Sequence, residues 1–502
     1  MAKEKTHSIS KSQFLKGIQC SKALWLYRNR PDLKPETDDA QHALFDQGNE
    51  IGQLAQTYFK GGVEVENEYW DIDGAIKKTE TLIKSGKSVI YEATAKSPEG
   101  IFSKIDILKK VKGKNEWDLI EVKGSAGLKD YHIWDMASQR HAFVGAGYKI
   151  RKSMLMHVNS GYVRKGELDI KQLFTLQDCT NEVIEQQEDV KGILPELLKV
   201  LNKPKEPSVD IGSHCNKPFS CDYKEHCWSH VPEYSVYNVT NGKKLDELLS
   251  IGILNAKDIP KDFSLGAKTA LAVNSYRDNA VIVDVPALKE WIQKLEYPLY
   301  YLDYETASSA IPSFDGTSPY QQCPFQYSLH IQKAKGDKLQ HLEFLHTEPS
   351  DPRESFIKSL IENCDKGGSV VAYNASFEKG VNNNLADQFP KYRNKLMAIN
   401  NRMVDLLNPF MSRALYHPKQ MGSASIKAVL PSFVPDMSYD TLNVSDGQEA
   451  SRLGDLILEG SLEGDTLKET IAALKEYCGQ DTLAMVKLID VIYSNINGRQ
   501  KK

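Results

Sequence analysis

Three cysteines fall within thirteen residues, as Cys215-x5-Cys221-x5-Cys227 in His-Cys-Asn-Lys-Pro-Phe-Ser-Cys-Asp-Tyr-Lys-Glu-His-Cys-Trp, and a fourth, Cys20, lies near the N-terminus. A group held by these thiols would tie the first helix of the chain to a distant segment, which restricts the fold more than any other feature. The opening Met1-Ala-Lys-Glu-Lys-Thr-His lacks the apolar core of a signal peptide, so the expected compartment is the cytoplasm, where disulfides are rare. Metal ligation is the better account of the thiols, and the residues leave a zinc ion and an iron–sulfur cluster both open. Zinc sites usually show paired C-x2–4-C knuckles, which the x5 spacings lack. His214 and His226 stand beside the cysteines and read as packing or solvent-facing side chains. Cys179, Cys323, Cys364 and Cys478 are isolated and read as small buried side chains.

At 502 residues the chain is several times the ~100–200 of one domain. With 41% hydrophobic and 26% charged residues it reads as an ordinary soluble protein, and no apolar run approaches the ~18 residues that span a bilayer, so no membrane partner is expected. A net charge of −4 excludes histone-like basicity but leaves room for a local basic groove. Lys-Pro-Lys-Glu-Pro at 203–207 precedes the cysteine cluster and a polar stretch at 229–244 follows it. These punctuate the chain into a first domain, 1–230, a helical connector with a possible helix-hairpin-helix, 231–295, and a second domain, 296–502. The expected class is α/β multidomain.

In the first domain, residues 8–30 and 41–59 read as helices. Short β-type runs over 88–123 then contain Lys-Ile-Asp106-Ile-Leu and Leu-Ile-Glu121-Val-Lys123, before a helix over 131–144. Alternation along a strand puts Glu121 and Lys123 on one face with Val122 on the other, and hairpin pairing brings Asp106 to them. Two carboxylates there can hold a divalent ion that activates water, and the lysine can stabilise a phosphorane. This pattern resembles the PD-(D/E)xK nuclease core, a restriction-endonuclease-like fold, in its RecB-like branch. The resemblance implies roles for Gln139, in Gln139-Arg-His-Ala-Phe143, and for Glu92 as an upstream metal-binding carboxylate. That branch carries Gly-x3-His on an earlier helix; here Gly48-Asn-Glu-Ile-Gly52 has Gly52 at the ligand position, so one ligand is either missing or supplied by another side chain, Glu50 or Glu92. The resemblance also implies that Cys20, Cys215, Cys221 and Cys227 bind a [4Fe-4S] cluster, a structural staple, as one cysteine before and three after the core do in RecB-family nucleases.

A second α/β pattern begins after Tyr297. Tyr-Leu-Asp303-Tyr-Glu305-Thr sits on its first strand, Tyr373-Asn374-Ala-Ser-Phe377-Glu378 follows a later strand, and Tyr477-Cys-Gly-Gln-Asp481 lies on a helix, where i and i+4 are neighbours. The trio resembles the three motifs of DnaQ-like DEDD exonucleases, an RNase H-like fold, in the tyrosine-bearing form. Two divalent ions need several carboxylates to clamp them. Asp303, Glu305 and Asp481 are the implied ligands, with Tyr477 placing the water. The second motif carries Glu378 where the family has Asp. Asp405 is a competing acid and reads as a helix N-cap. Gly422-Ser-Ala-Ser-Ile-Lys427 reads as ligand-facing or as a tight turn before a helix.

The combination resembles an uncharacterised bacterial family fusing a RecB-like nuclease to a DEDD exonuclease. It implies a nuclease using Mg2+ or Mn2+ that acts on nucleic acid, DNA ahead of RNA, and trims in the 3′ to 5′ direction. The alternatives are an RNA exonuclease and a non-catalytic nucleic-acid-binding scaffold with degenerate sites.

Overall fold

The computed structural model describes residues 8–37, 39–68, 70–364 and 366–498. The chain is mixed α/β and divides into two compact units. One runs to His230 and takes in Ala310–Tyr320; the other holds Val231–Ser309 and everything from Gln321 onward. Residues 231–295 therefore belong to the second unit. No helix among the described residues is long and apolar enough to cross a membrane.

The first unit is built on a seven-stranded mixed sheet of β1 (Ile9–Ser10), β2 (Val63–Glu64), β3 (Val89–Lys96), β4 (Ile101–Lys110), β5 (Trp117–Lys123), β6 (Ile150–Val158) and β7 (Phe174–Asp178). The order is β2-β3-β4-β5-β6-β7, with β1 on β4. The β3-β4-β5 meander is antiparallel, and β5 pairs parallel with β6. Helix α1 (Lys11–Gln19), α2 (Ser21–Asn29), α3 (Asp39–Tyr58), α4 (Ile72–Lys84), α5 (Asp130–Gly145) and α6 (Gln187–Leu201) accompany it. The apolar residues sort by strand alternation. Ile120 and Val122 pack with Ile51 of α3, whereas Leu119 packs with Phe143 of α5. The acidic face of β5 thus turns toward α5. The expected helix over 8–30 is two helices, because the chain adopts an extended conformation at Cys20. The break brings the Cys20 sulfur to the cysteine segment instead of burying it along one continuous helix.

In the second unit, β8 (Ile282–Val283) pairs with β14 (Leu415–Tyr416), apart from a five-stranded sheet of β9 (Leu299–Ala307), β10 (Cys323–Gln332), β11 (Gln340–Leu345), β12 (Ser369–Ala372) and β13 (Met403–Asp405). The sheet order is β11-β10-β9-β12-β13: β9, β10 and β11 form an antiparallel meander, and β12 and β13 continue in parallel. The helices α7 (Gly242–Ser250) and α8 (Ala267–Asp278) precede the sheet. Helix α9 (Arg353–Cys364), α10 (Ser376–Gln388), α11 (Arg393–Asn401), α12 (Ile426–Phe433), α13 (Gly447–Glu459) and α14 (Gly464–Ile496) follow within and after it. Tyr300, Leu302 and Tyr304 of β9 point into a core with Phe356, Leu360, Leu385 and Leu396 from α9, α10 and α11. Each fully buried apolar side chain of that size contributes about 1.5–3 kcal/mol. That packing fixes which face Asp303 and Glu305 occupy. Helix α13 packs close to β10: a Cβ on Gly454 would meet the Phe325 ring at 2.2 Å, so only glycine allows this approach. On α14 the buried positions Leu474, Tyr477, Cys478, Asp481, Thr482, Met485, Leu488 and Ile492 recur every three or four residues, so Tyr477 and Asp481 lie in the stripe that faces the unit's interior.

Candidate functional site

Two acidic clusters and one thiol cluster emerge, and each gathers residues distant in sequence.

The first acidic cluster lies at the end of β5. Glu121 is 2% exposed, and its Oε1 receives both the Lys123 ammonium at 2.6 Å and the Lys11 ammonium at 2.8 Å. Its Oε2 accepts a hydrogen bond from Gln139 Nε2. The same two lysines reach Asp135, Lys123 at 2.7 Å and Lys11 at 3.2 Å. Asp106 Oδ2 accepts from the Val122 backbone N–H at 2.6 Å. Burial works to raise the Glu121 carboxyl, but Lys11 and Lys123 overcome it and hold the group ionised well below the usual carboxylate range. Asp106 is pushed well above that range by burial and by the charge of Glu121. Glu92, on β3, pairs with Lys104 at 2.9 Å and adopts a left-handed backbone, with φ of 58°. Such a conformation in a non-glycine strand residue costs of the order of 1–3 kcal/mol and is held by the surrounding sheet. Asp106, Glu121, Lys123 and Gln139 are thus brought together. Gly52 has no atom within 4 Å of where a Cβ would lie.

Lys11 and Asp135 join the cluster without having been singled out in the sequence. Asp135 lies one helical turn before Gln139 on α5, a spacing that signals a shared face. Lys11 arrives through the pairing of β1 with β4, which no local pattern announces.

The second acidic cluster lies between β9, α10 and α14. The ligand atoms of Asp303, Glu305 and Cys478 lie within 4.8 Å of one another, and among the described residues no other set of three or more His, Cys, Asp or Glu does so. Asp481 Oδ1 accepts from the Tyr439 hydroxyl at 2.6 Å. Glu378 is 2% exposed, and its Oε2 has no hydrogen-bond partner. The Lys427 ammonium sits 5.7 Å from the Tyr439 ring centre and 5.6 Å from that of Tyr477, and it donates to Ser445 O at 2.6 Å. Among the described residues, no ion pair involves Asp303, Glu305, Glu378 or Asp481.

At 4.8 Å and an effective dielectric near 20, two carboxylates repel by about 3.5 kcal/mol. A whole domain is stable by only about 5–15 kcal/mol. Four ionised acids beside one lysine would be strongly destabilising. Accordingly the Asp303 carboxyl lies well above the usual range, first through burial and then through the charges of Asp481, Glu305 and Glu378; burial and Asp481 do the same to Glu305. Burial, with Asp405 and Asp481 adding, pushes Glu378 up to about 8, and burial pushes Asp481 up to about 6.

Asp405 ends β13 and accepts from the N–H groups of Asn374, at 3.0 Å, and Leu407, at 2.9 Å. The N-cap position of the following helix is Leu406, not Asp405 as read from the sequence; Asp405 instead holds the first N–H of that helix and the turn, with Asn374 at φ of 69°, that launches α10 and Glu378. Lys427 and Cys478 both belong to the cluster. Lys427 fell in a stretch whose small residues pointed to a ligand. Cys478 is a buried small side chain, as read from the sequence, and its Sγ lies 3.7 Å from both the backbone O and Oδ2 of Asp303. Tyr439 carries no local signal, because the segment containing it is irregular.

Cys20, Cys215, Cys221 and Cys227 line one small cavity with Ala23, His214 and Tyr223, and all four are free thiols. Burial pushes the Cys221 and Cys227 thiols up, and their neighbouring sulfurs add to it. Around the cavity, Gln19 Nε2 donates to His214 O and Phe219 O at 2.8 Å, Lys16 pairs with Asp222 at 2.7 Å, and Lys22 pairs with Glu206 at 2.6 Å. A tetrahedral zinc thiolate, with bonds of about 2.3 Å, would bring its sulfurs to about 3.8 Å from one another. No three of these sulfurs lie within 4.8 Å of one another. The donor set and the wider spacing fit a group larger than one zinc ion.

Residues 300–425, which carry Asp303, Glu305, Glu378 and Asp405, match a domain of unknown function, DUF2779. An uncharacterized MG366 homolog of Mycoplasma pneumoniae is 30% identical over 218 residues, covering 39% of this chain and 32% of that protein. An uncharacterized protein of Ureaplasma parvum, UU173, is 24% identical over 366 residues, 64% of this chain and 52% of that protein. The chain spans about a third of the length of the first relative and about half of the second.

Proposed function

We propose that the chain is a metal-dependent nuclease whose second unit, an RNase H-like domain of DEDD type, hydrolyses phosphodiester bonds. The observation that carries this reading is the convergence of four carboxylates, Glu305, Glu378 and Asp481 buried and Asp303 half-buried, none ion-paired, with Glu378 leaving an oxygen without any partner. Asp303, Glu305, Glu378 and Asp481 have the hard oxygen donors that hold Mg2+ or Mn2+. Divalent ions bound there would activate water and stabilise the attacking and leaving oxygens of an in-line displacement. Around them the protein acts by positioning. Tyr439 fixes Asp481 by donating to it, Asp405 fixes the turn that presents Glu378, and Lys427 is the nearby cation able to meet a phosphate oxygen. Tyr477, one helical turn from Asp481, is placed to orient the incoming water.

The first unit reads as a PD-(D/E)xK restriction-endonuclease-like domain of the RecB-like branch. Its Asp106, Glu121, Lys123 and Gln139 have the donor set of that core. The four cysteines suit a [4Fe-4S] cluster that staples α1 and α2 to the segment carrying Cys215, Cys221 and Cys227. In the lysine-bound form described above, this unit is suited to holding nucleic acid while the second unit cleaves, as Lys11 and Lys123 occupy the Glu121 oxygen a metal would need.

The test is hydrolysis of end-labelled single-stranded DNA, and of a matched RNA, by purified protein with Mg2+ or Mn2+. Asp303→Ala is expected to abolish turnover and Glu121→Ala to leave most of it, with DNA favoured and cleavage running 3′ to 5′. Faster turnover of RNA would make the enzyme an RNA exonuclease. Retained binding without metal-dependent turnover of either strand would make it a scaffold.

A further inference from the structure

Cys478 lies between Tyr477 and Asp481 on α14, yet a DEDD-type site needs no sulfur. The Sγ is 3.7 Å from Asp303 Oδ2. Two ligands of a tetrahedral zinc ion, one sulfur at about 2.3 Å and one oxygen at about 2.0 Å, stand about 3.5 Å apart. Glu305 completes a set of three ligand atoms within 4.8 Å. The fourth direction has its own candidate, because Glu378 Oε2 is buried without a partner and its charge acts on both Asp303 and Glu305. Hard ions and soft ions would therefore share the carboxylates of this pocket and differ in whether they take the thiol. Mg2+ takes oxygen ligands in octahedral geometry and has no use for the thiol, whereas Zn2+ accepts a mixed sulfur and oxygen set at low coordination number.

We propose that Cys478, Asp303 and Glu305, with Glu378 as the available fourth ligand, form a thiolate zinc site inside the acidic cluster, one that captures Zn2+ in place of the catalytic Mg2+ or Mn2+ and so inhibits the enzyme. This rests on reading the cluster as a divalent-ion site. Binding replaces the Sγ–H bond with a Zn–S bond, and the proton leaves to solvent. No electron is transferred. Zn2+ holds the Asp303 carboxylate that the reaction requires, so inhibition is competitive with Mn2+ and is reversed by a chelator.

The full-length protein is titrated with Co2+, a spectroscopic stand-in for zinc whose thiolate bond gives a charge-transfer band, and separately with Zn2+ against a chelating dye. The cysteine cavity of the first unit contributes equally to wild type and Cys478→Ser, so the difference between them isolates this site. Loss of an outer partner of a metal ligand already weakens binding by about 10- to 100-fold. Cys478→Ser is therefore expected to lose one thiolate–cobalt band and at least about tenfold in Zn2+ affinity. The concentration of Zn2+ that halves Mn2+-dependent DNA hydrolysis is expected to rise by a similar factor. Asp303→Asn, which keeps the thiol and removes an oxygen ligand, is expected to lose the same band and decides the matter if Cys478→Ser does not fold. Identical spectra and Zn2+ affinity in wild type and Cys478→Ser would overturn the proposal, even in an enzyme that hydrolyses DNA. A band difference without hydrolysis by any variant would leave the zinc site standing and remove the nuclease reading.

Discussion

The two acidic clusters differ in how their charge is balanced. In the first unit, Asp106, Glu121 and Asp135 face Lys11 and Lys123, and the lysines bridge two of the three acids at 2.6–3.2 Å. In the second, four acids face a single lysine that reaches none of them as an ion pair. Both are buried, so burial alone does not make a metal site. The difference lies in whether the chain supplies its own counter-charge. The first cluster is balanced by its own lysines; the second has no ion-paired counter-charge among the described residues, which is why we propose it as the cation site.

This contrast predicts opposite signs for mutations that remove charge. Lys11→Met strips one of two cations from a buried network, and removing one partner of a buried pair costs about 3–5 kcal/mol. With Lys123 still in place, a loss of about 3 kcal/mol is expected in urea unfolding. A neutral result would mean that the network is not formed in solution.

Glu378→Gln in the second cluster is expected to do the reverse, stabilising the metal-free protein by about 3 kcal/mol at pH 7, since each pH unit above the unfolded value of 4.5 and below the folded value is worth about 1.4 kcal/mol. The same acid sets a pH dependence. Glu378 rises from 4.5 to about 8 on folding, so the folded chain binds the proton more tightly than the unfolded chain. Stability is then full below about pH 4.5 and is lost as pH rises toward about 8. Asp481, raised from 3.8 to about 6, adds to the lower part of that window. Melting temperature of metal-free protein should fall across this range, Mn2+ should restore it, and Glu378→Gln should flatten it. A metal-free profile that rises across the range would reverse the charge assignment.

The smallest expected effect is that of Asp405→Ala, which removes the acceptor of the Asn374 and Leu407 N–H groups and should cost about 1 kcal/mol. It should lower Mn2+ affinity modestly by loosening the turn before Glu378. An unchanged affinity would detach Asp405 from the site.

How legible these features are in the sequence follows from how local each one is. The strands bearing Asp106, Glu121 and Asp303 announce themselves through β-type runs, and Glu121 and Lys123 share a face simply by alternation. Tyr477 and Asp481 share one because α14 keeps a regular buried stripe. What sequence reasoning misses comes from long-range pairing. Lys11 reaches Glu121 only because β1 docks on β4, and β6, β7 and β11 carry less regular patterns that do not mark them as strands. Residues 310–320 fall between two strands of the second unit yet belong to the first, an exchange that no composition shift marks. The place of Cys478 beside Asp303 is not legible, because a lone thiol on a buried stripe reads as packing. Only the fold of α14 against β9 brings it to Asp303.

The central claim is that the second acidic cluster is a divalent-cation site and the first, as folded here, is not. Anomalous scattering from crystals soaked in Mn2+ tests this directly. The account predicts manganese peaks among Asp303, Glu305, Glu378 and Asp481, and none or a far weaker one at Glu121 while Lys11 and Lys123 remain bound to it. Manganese at Glu121 with none at Asp303 would contradict it.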